Sequence, residues 1–229
     1  MNVISIFGLS DLHLSKSADK PMDIFRGWND YEHRIETNWK RMISENDTVV
    51  IPGDISWAMK LEDTYSDFEF LNNLPGTKII LKGNHDLWWN TAKKLNEFLN
   101  VNGFDTIKFV FNSAEVVGDY AICGSRGWFF DDKESSKKVI LREAARLDTS
   151  IKKAKETGKT PLVFLHYPVY FNDQVCEEML EVLKKHEITE VWHGHIHGSG
   201  KQNTQYFYEN IKFNLISCDC IAFEPLLIR

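Results

Sequence analysis

Five short clusters of Asp, His and Asn punctuate the 229-residue sequence: Asp11-Leu12-His13, Gly53-Asp54, Gly83-Asn84-His85-Asp86, His166-Tyr167-Pro168 and Gly194-His195-Ile196-His197. Of the chain's 8 histidines, five fall in these clusters. Carboxylate and amide oxygens with imidazole nitrogens, and no sulfur, suit Mn, Fe, Zn, Co or Ni rather than a thiolate zinc site. A donor set this large exceeds the needs of one ion and suits two if one carboxylate bridges. Two ions roughly 3.5–4 Å apart can hold a bridging hydroxide and clamp a phosphate for in-line attack. Singly, Asp11 and Asp54 read as turn or cap residues and His166 as a packed strand-end histidine. Their ordered recurrence is what points to a site.

The elements around the clusters explain how they could meet. Val3 to Leu9, Thr48 to Ile51, Lys78 to Leu81, Pro161 to Leu165 and Glu190 to Trp192 are apolar runs that read as buried strands, and each leads into one cluster. Between them, apolar residues recur at helical spacing. The groups are Ile35, Trp39, Met42 and Ile43; Tyr65, Phe68, Leu71 and Leu74, ended by Pro75-Gly76; and Ala92, Leu95, Phe98 and Leu99. Ile140, Ala144, Leu147, Ile151 and Ala154 predict a long helix, capped by Asp131 or Asp132 and closed by Gly158. Val175, Met179, Val182 and Leu183 predict another. Ile107 to Cys123 reads as a hairpin broken near Val117-Gly118-Asp119, and Phe213 to Ser217 as a late strand. This alternation gives an α/β class with a mixed sheet or two sheets. Ligands of such sheets collect beyond the carboxyl ends of the strands. Clusters spread from Asp11 to His197 therefore converge on one crevice.

With these motifs the sequence resembles the calcineurin-like metallophosphoesterases. Their pattern is D-x-H, G-D, G-N-H-[DE], a later H and G-H-x-H, and every element is present in order from Asp11 to His197. The resemblance implies one domain over residues 1–229, a four-layer α/β/β/α sandwich of two mixed sheets with the metal site at strand carboxyl ends. It implies two divalent transition-metal ions (Mn, Fe or Zn). Asp11, His13 and His197 would hold the first, Asn84, His166 and His195 the second, and Asp54 would bridge. His85 would lie beside the phosphate, as proton donor to the leaving oxygen or as charge stabiliser. Asp86 would orient it and raise its pKa. The implied reaction is hydrolysis of phosphate mono- or diesters of a small molecule or nucleotide by a metal-bridging hydroxide.

Composition narrows the partners. A formal net charge of −6 argues against a long nucleic-acid footprint, which needs a basic stripe. Nuclease action, the alternative within the class, calls for a basic, aromatic groove that the sequence does not display. The alternative outside it is a non-catalytic scaffold that binds proteins; such relatives lose the His of the Gly-Asn-His-Asp run or several ligands, and none is lost here. Arg126, in a loop after a strand, is a candidate phosphate clamp, and Asn84 a further substrate contact. Trp57, Trp88 and Trp89 read as pocket walls or as core. His193 alternates with His195 and His197, but the family pattern does not need it and an outer-sphere contact is its lesser reading; His33 and His186 read as surface residues, and Lys152 to Lys155 as a solvated helix face. Cys123, Cys176, Cys218 and Cys220 lack zinc-ribbon or redox spacing, and Cys218 and Cys220 would share one strand face. With no signal peptide pattern and no apolar run of ~18 residues, the expectation is a soluble cytoplasmic protein with reduced thiols and no membrane partner.

Overall fold

The structure, a computed structural model, describes residues 4–128, 137–198 and 203–229. In chain order its elements are β1 (Ile6–Gly8), α1 (Tyr31–Met42), β2 (Thr48–Pro52), α2 (Tyr65–Asn72), β3 (Thr77–Leu81), α3 (Ala92–Asn102) and β4 (Ile107–Phe109). There follow β5 (Ala114–Val117), β6 (Tyr120–Ser125), α4 (Lys137–Glu156), β7 (Thr160–Leu165), β8 (Tyr170–Phe171), β9 (Gln174–Val175) and α5 (Glu177–Lys185). The chain ends with β10 (Glu190–His193), β11 (Gln205–Tyr208), β12 (Ile211–Leu215) and β13 (Leu226–Leu227).

Two mixed sheets result. The first runs β13-β1-β2-β3-β4, with β13 antiparallel to β1 and the rest parallel. The second runs β11-β12-β10-β7-β6-β5, with β11 and β5 as antiparallel edges. Both faces of each sheet are covered, so inward and outward residues are both apolar and alternate in what they meet. Val49 and Ile51 of β2 pack with Ile35 and Trp39 of α1 and Leu95 of α3, whereas Val50 points the other way. Val163 and Leu165 of β7 pack with Leu147 and Ile151 of α4 and Leu180 of α5, whereas Phe164 points the other way. Val50, Phe164, Trp192 and Ile216 meet in a core between the sheets. Burying one such side chain is worth roughly 1.5–3 kcal/mol. The layers are therefore helices, sheet, sheet, helices, as the resemblance implied. No helix among the described residues is long and apolar enough to cross a membrane.

Local chemistry sets the element ends. Thr91 caps α3 by accepting the Lys94 N–H at 3.4 Å, and Gly103 ends it in the left-handed region at φ 68°. Gly158, at φ 72°, follows α4 as expected. Asp131, Asp132 and Val3 lie outside the described residues.

Four expectations are corrected. Ile107 to Cys123 is not one hairpin: β4 belongs to the first sheet, while β5 and β6 form a hairpin in the second. The chain changes sheets between them, with Asn112 left-handed at φ 55°, and a period-2 pattern carries no information about which sheet a strand joins. Val175 starts no helix; it pairs with Tyr170 in the β8–β9 hairpin. Cys218 and Cys220 do not share a strand face, because the chain leaves the second sheet after Leu215 to form a bridge at Ser217 with Ser10. His186 is buried rather than on the surface: where α5 packs on α4, its Nε2 lies 2.9 Å from Asp148 Oδ1. His33 is exposed as expected, and Lys152 and Lys153 pair with Asp148 and Glu156 on the surface of α4.

Candidate metal centre

The loops after β1, β2, β3, β7 and β10 carry Asp11 and His13, Asp54, Asn84 and His85, His166, and His195 and His197, respectively. Tight backbone turns bring them together. Asp11, His13, Asp54 and His195 all hold positive φ, at 60°, 46°, 53° and 72°. Left-handed backbone costs a non-glycine residue on the order of 1 kcal/mol, so its recurrence at four candidate donors marks stored strain at a functional crevice. Gly83 and Gly194 permit the close approach. A Cβ at Gly83 would run into the Asp54 carboxylate, and one at Gly194 into Ser10 and the Asp11 carboxylate.

Two groups of ligand atoms converge: Asp11, His13 and His197, and Asp11, Asp54 and His166, each within 4.8 Å of one another. Asp11 Oδ1 lies 3.7 Å from His197 Nε2 and 4.0 Å from His166 Nδ1. Asp54 Oδ2 lies 3.8 Å from His13 Nε2 and 3.5 Å from His166 Nε2, between the two groups. Asn84 Oδ1 adjoins His166 Nε2 at 2.5 Å and His195 Nδ1 at 3.2 Å. All seven residues expected as ligands are thus in one place. The grouping differs in one respect, since Asp11 as well as Asp54 reaches both sides.

The hydrogen bonds of these imidazoles test whether a cation fits. His166 Nδ1 donates to the Pro52 carbonyl at 3.1 Å, which leaves Nε2 as a lone pair in the neutral ring. That lone pair faces the Asn84 amide oxygen. His197 Nδ1 donates to Asp219 Oδ1 at 2.9 Å, and its Nε2 lies 3.3 Å from His13 Nε2. The lone pair of His166 and the Asn84 oxygen repel one another unless a cation lies between them, and hard oxygens with imidazoles suit a divalent ion. Burial first, then neighbouring imidazoles, push His13 and His166 well below the ordinary histidine range, so both are neutral donors at physiological pH. Burial opposes charge on His197 as well, but the Asp219 hydrogen bond and the Asp11 and Asp219 charges raise it on balance.

The remaining residues frame this centre. His85 is held by its backbone N–H, which donates to Asp54 Oδ1 at 2.8 Å. Asp86 is wholly buried, and its carboxylate accepts the N–H groups of Asp54, Ile55 and Gly83 at 2.7–2.9 Å. It therefore ties the second cluster to the third through the backbone. Burial, opposed by those N–H groups, pushes it up to about 6. Trp57 stacks on His13 at 4.8 Å and touches His85 at 4.6 Å, so it walls the site. Trp88 is core, and Trp89 packs beside it. Arg126 pairs with buried Glu143 at 3.4 Å and lies over Trp128; Trp128 contacts Tyr167, whose ring is 4.1 Å from that of His195. His193 is buried, with Nε2 2.7 Å from the Tyr206 hydroxyl.

Sequence reasoning missed Ser217, Asp219, Trp28 and Tyr31. Ser217 donates to Asp11 Oδ2 at 2.8 Å, and Tyr31 donates to the His13 carbonyl at 2.9 Å. Trp28 sets its edge against His13 and His197 at 5.8 and 5.6 Å. A signal existed for Asp219, because Ser217-Cys218-Asp219 follows β12 as each cluster follows its strand.

The calcineurin-like phosphoesterase pattern matches residues 4–199. The chain belongs to this family. Family membership implies metal-dependent phosphoester hydrolysis, and the Asp and His groups above could hold its metal. Solved structures share the fold. TT1561 of Thermus thermophilus is 15% identical with a TM-score of 0.58, over 100% of this chain and 99% of that one. A protein of unknown function from Aquifex aeolicus, AQ665, is 19% identical with a TM-score of 0.54, over 98% and 96%. No curated protein matches the chain. The family match ends before β11, so β11 to β13 and Asp219 lie beyond it.

Proposed function

We propose that the chain is a phosphoester hydrolase that works with two divalent transition-metal ions, Mn, Fe or Zn, on a phosphate mono- or diester of a small molecule or nucleotide. The observation that carries the reading is the pair of ligand groups joined through Asp11, with Asp54 between them. Asp11, His13 and His197 would hold one ion. Asp54, Asn84, His166 and His195 would hold the other, with Asp54 extending to the first. Bound there, the ions supply Lewis acidity that activates water and neutralises phosphoryl oxygens.

The chain's own groups do the rest. His85, fixed through its backbone on Asp54, hands a proton to the leaving oxygen or stabilises the charge that grows there. Asp86 fixes the backbone that presents His85. Trp57 and Trp28 shield the His13 side from water. Asn84 and Arg126 are candidate contacts to the substrate phosphate. Residues 1–229 act as one domain in this reading, supported by the strands beyond residue 199 that join both sheets. The free cysteines support a reducing, cytoplasmic setting.

The test is hydrolysis of chromogenic phosphate mono- and diesters with added Mn, Zn or Fe. The wild type should turn over at least one ester class, while Asp54→Ala and His85→Ala should lose most turnover and keep the fold. Near wild-type rates in either variant would overturn the assignment.

A further inference from the structure

We propose that Ser217-Cys218-Asp219 sets the affinity of the Asp11–His13–His197 site, with Asp219 as the positioning residue for His197. The inference rests on the reading of this crevice as a metal centre. It assigns a role to a segment that lies outside the family match, which ends at residue 199.

The segment grips two of the three ligands of that site. Asp219 is buried; its Oδ1 accepts from His197 Nδ1 and its Oδ2 from the Gly198 N–H, both at 2.9 Å. Ser217 donates to Asp11 Oδ2 at 2.8 Å, and the Cys218 thiol donates to the Asp11 carbonyl at 2.9 Å. A parallel bridge between Ser10 and Ser217 anchors the segment beside β1.

The two sites differ in how their imidazoles are held. The His166 side chain is fully buried, and a backbone carbonyl fixes its Nδ1. The His197 side chain is 36% exposed, so packing restrains it less. Its ring direction, its tautomer and its basicity depend on the Asp219 carboxylate. A carboxylate on the far nitrogen of a ligating histidine fixes the tautomer and strengthens the donor, and its loss typically costs about 10–100-fold in metal affinity. That cost should fall on one ion. Asp219 touches His197, which belongs to one ligand group, and has no bond to His166.

The experiment is a titration of metal-free wild type, Asp219→Ala and Asp219→Asn with Co2+. Bound ions are counted by equilibrium dialysis, and visible absorption reports the ligand field. The wild type should bind two ions. Asp219→Ala should bind one as the wild type does and the other roughly 10–100-fold more weakly, with one set of absorption bands lost. Asp219→Asn, whose amide oxygen can still accept from Nδ1, should fall between them. Melting of the metal-free proteins reads folding separately, and Asp219→Asn carries the test if Asp219→Ala does not fold. Wild-type constants for both ions in the variants would overturn the proposal. So would equal weakening of both ions with a lowered metal-free melting temperature, which marks a merely structural role. A wild type that binds fewer than two ions would instead overturn the two-ion reading.

Discussion

The two sheets bring different chemistry to the crevice. The first delivers oxygens: Asp11 after β1, Asp54 after β2 and Asn84 after β3, with His13 its one imidazole in the ligand groups. The second delivers only nitrogens to them, from His166 after β7 and His197 after β10. Each ligand group draws on both sheets. Oxygens on one side and imidazoles on the other make a seam that neither sheet completes alone. A cation held at that seam would join the two sheets, whose apolar contact runs through Val50, Phe164 and Trp192. Metal binding there would be linked to sheet packing.

The sharpest way to break this division is at the shared oxygen. Asp54→Asn should lower kcat/KM on an aryl phosphate by on the order of 10³-fold, about 4 kcal/mol of barrier, and weaken both ions. By contrast, His166→Ala and His197→Ala on the second sheet should each weaken a different ion, read by the dialysis count. His85→Asn separates the proton donor from the ligands. It should cost about 10²–10⁴-fold in kcat with metal content unchanged.

A smaller effect tests the seam itself. Chelation should lower the melting temperature, because ligands that bind only the folded state add stability. At an ion concentration of 100 Kd the loss is about 2.7 kcal/mol, or roughly 5–10 °C for a chain of this size. Melting in Mn2+ against EDTA reads it, and equal temperatures would sever metal binding from sheet packing.

The smallest effect lies off the seam, on the first-sheet side. Asp67 accepts the Lys16 N–H at 2.9 Å and the Ser56 hydroxyl, and burial pushes it from 3.8 up to about 6. The folded state then holds a proton that the unfolded chain has released. This contribution to stability is complete below about pH 4 and falls away as pH rises through about 6. Urea midpoints across that range check it, and Asp67→Asn should flatten this part of the profile.

Much of this architecture is legible in the linear sequence, for a physical reason. Strands buried on both faces are continuous apolar runs, and the donors sit in contiguous clusters directly after them. Asp11, Asp54, Asn84, His166, His195 and His197 are found by reading forward from each run. The failures share a cause as well. The sheet change before β5, the departure of the chain at Ser217 and the burial of His186 all depend on what packs against a segment from far away in sequence. Asp219 escaped because it reaches His197 from 22 residues away, beyond β11 and β12, rather than within a motif.

Donor types, their order and the strand that precedes each are local properties, written in residues a few positions apart. They sufficed to point to metal-dependent phosphoester hydrolysis. Packing alone decided which donors fall into one ligand group. Asp11 reaches both ligand groups from the end of β1, which lies beside β2 and leads at Ser10 into a bridge with the segment after β12. Packing also decided which side chains hold the ligands. Asp219 and Ser217 are brought to the site by a bridge spanning two hundred residues of chain, and no local pattern encodes such a contact.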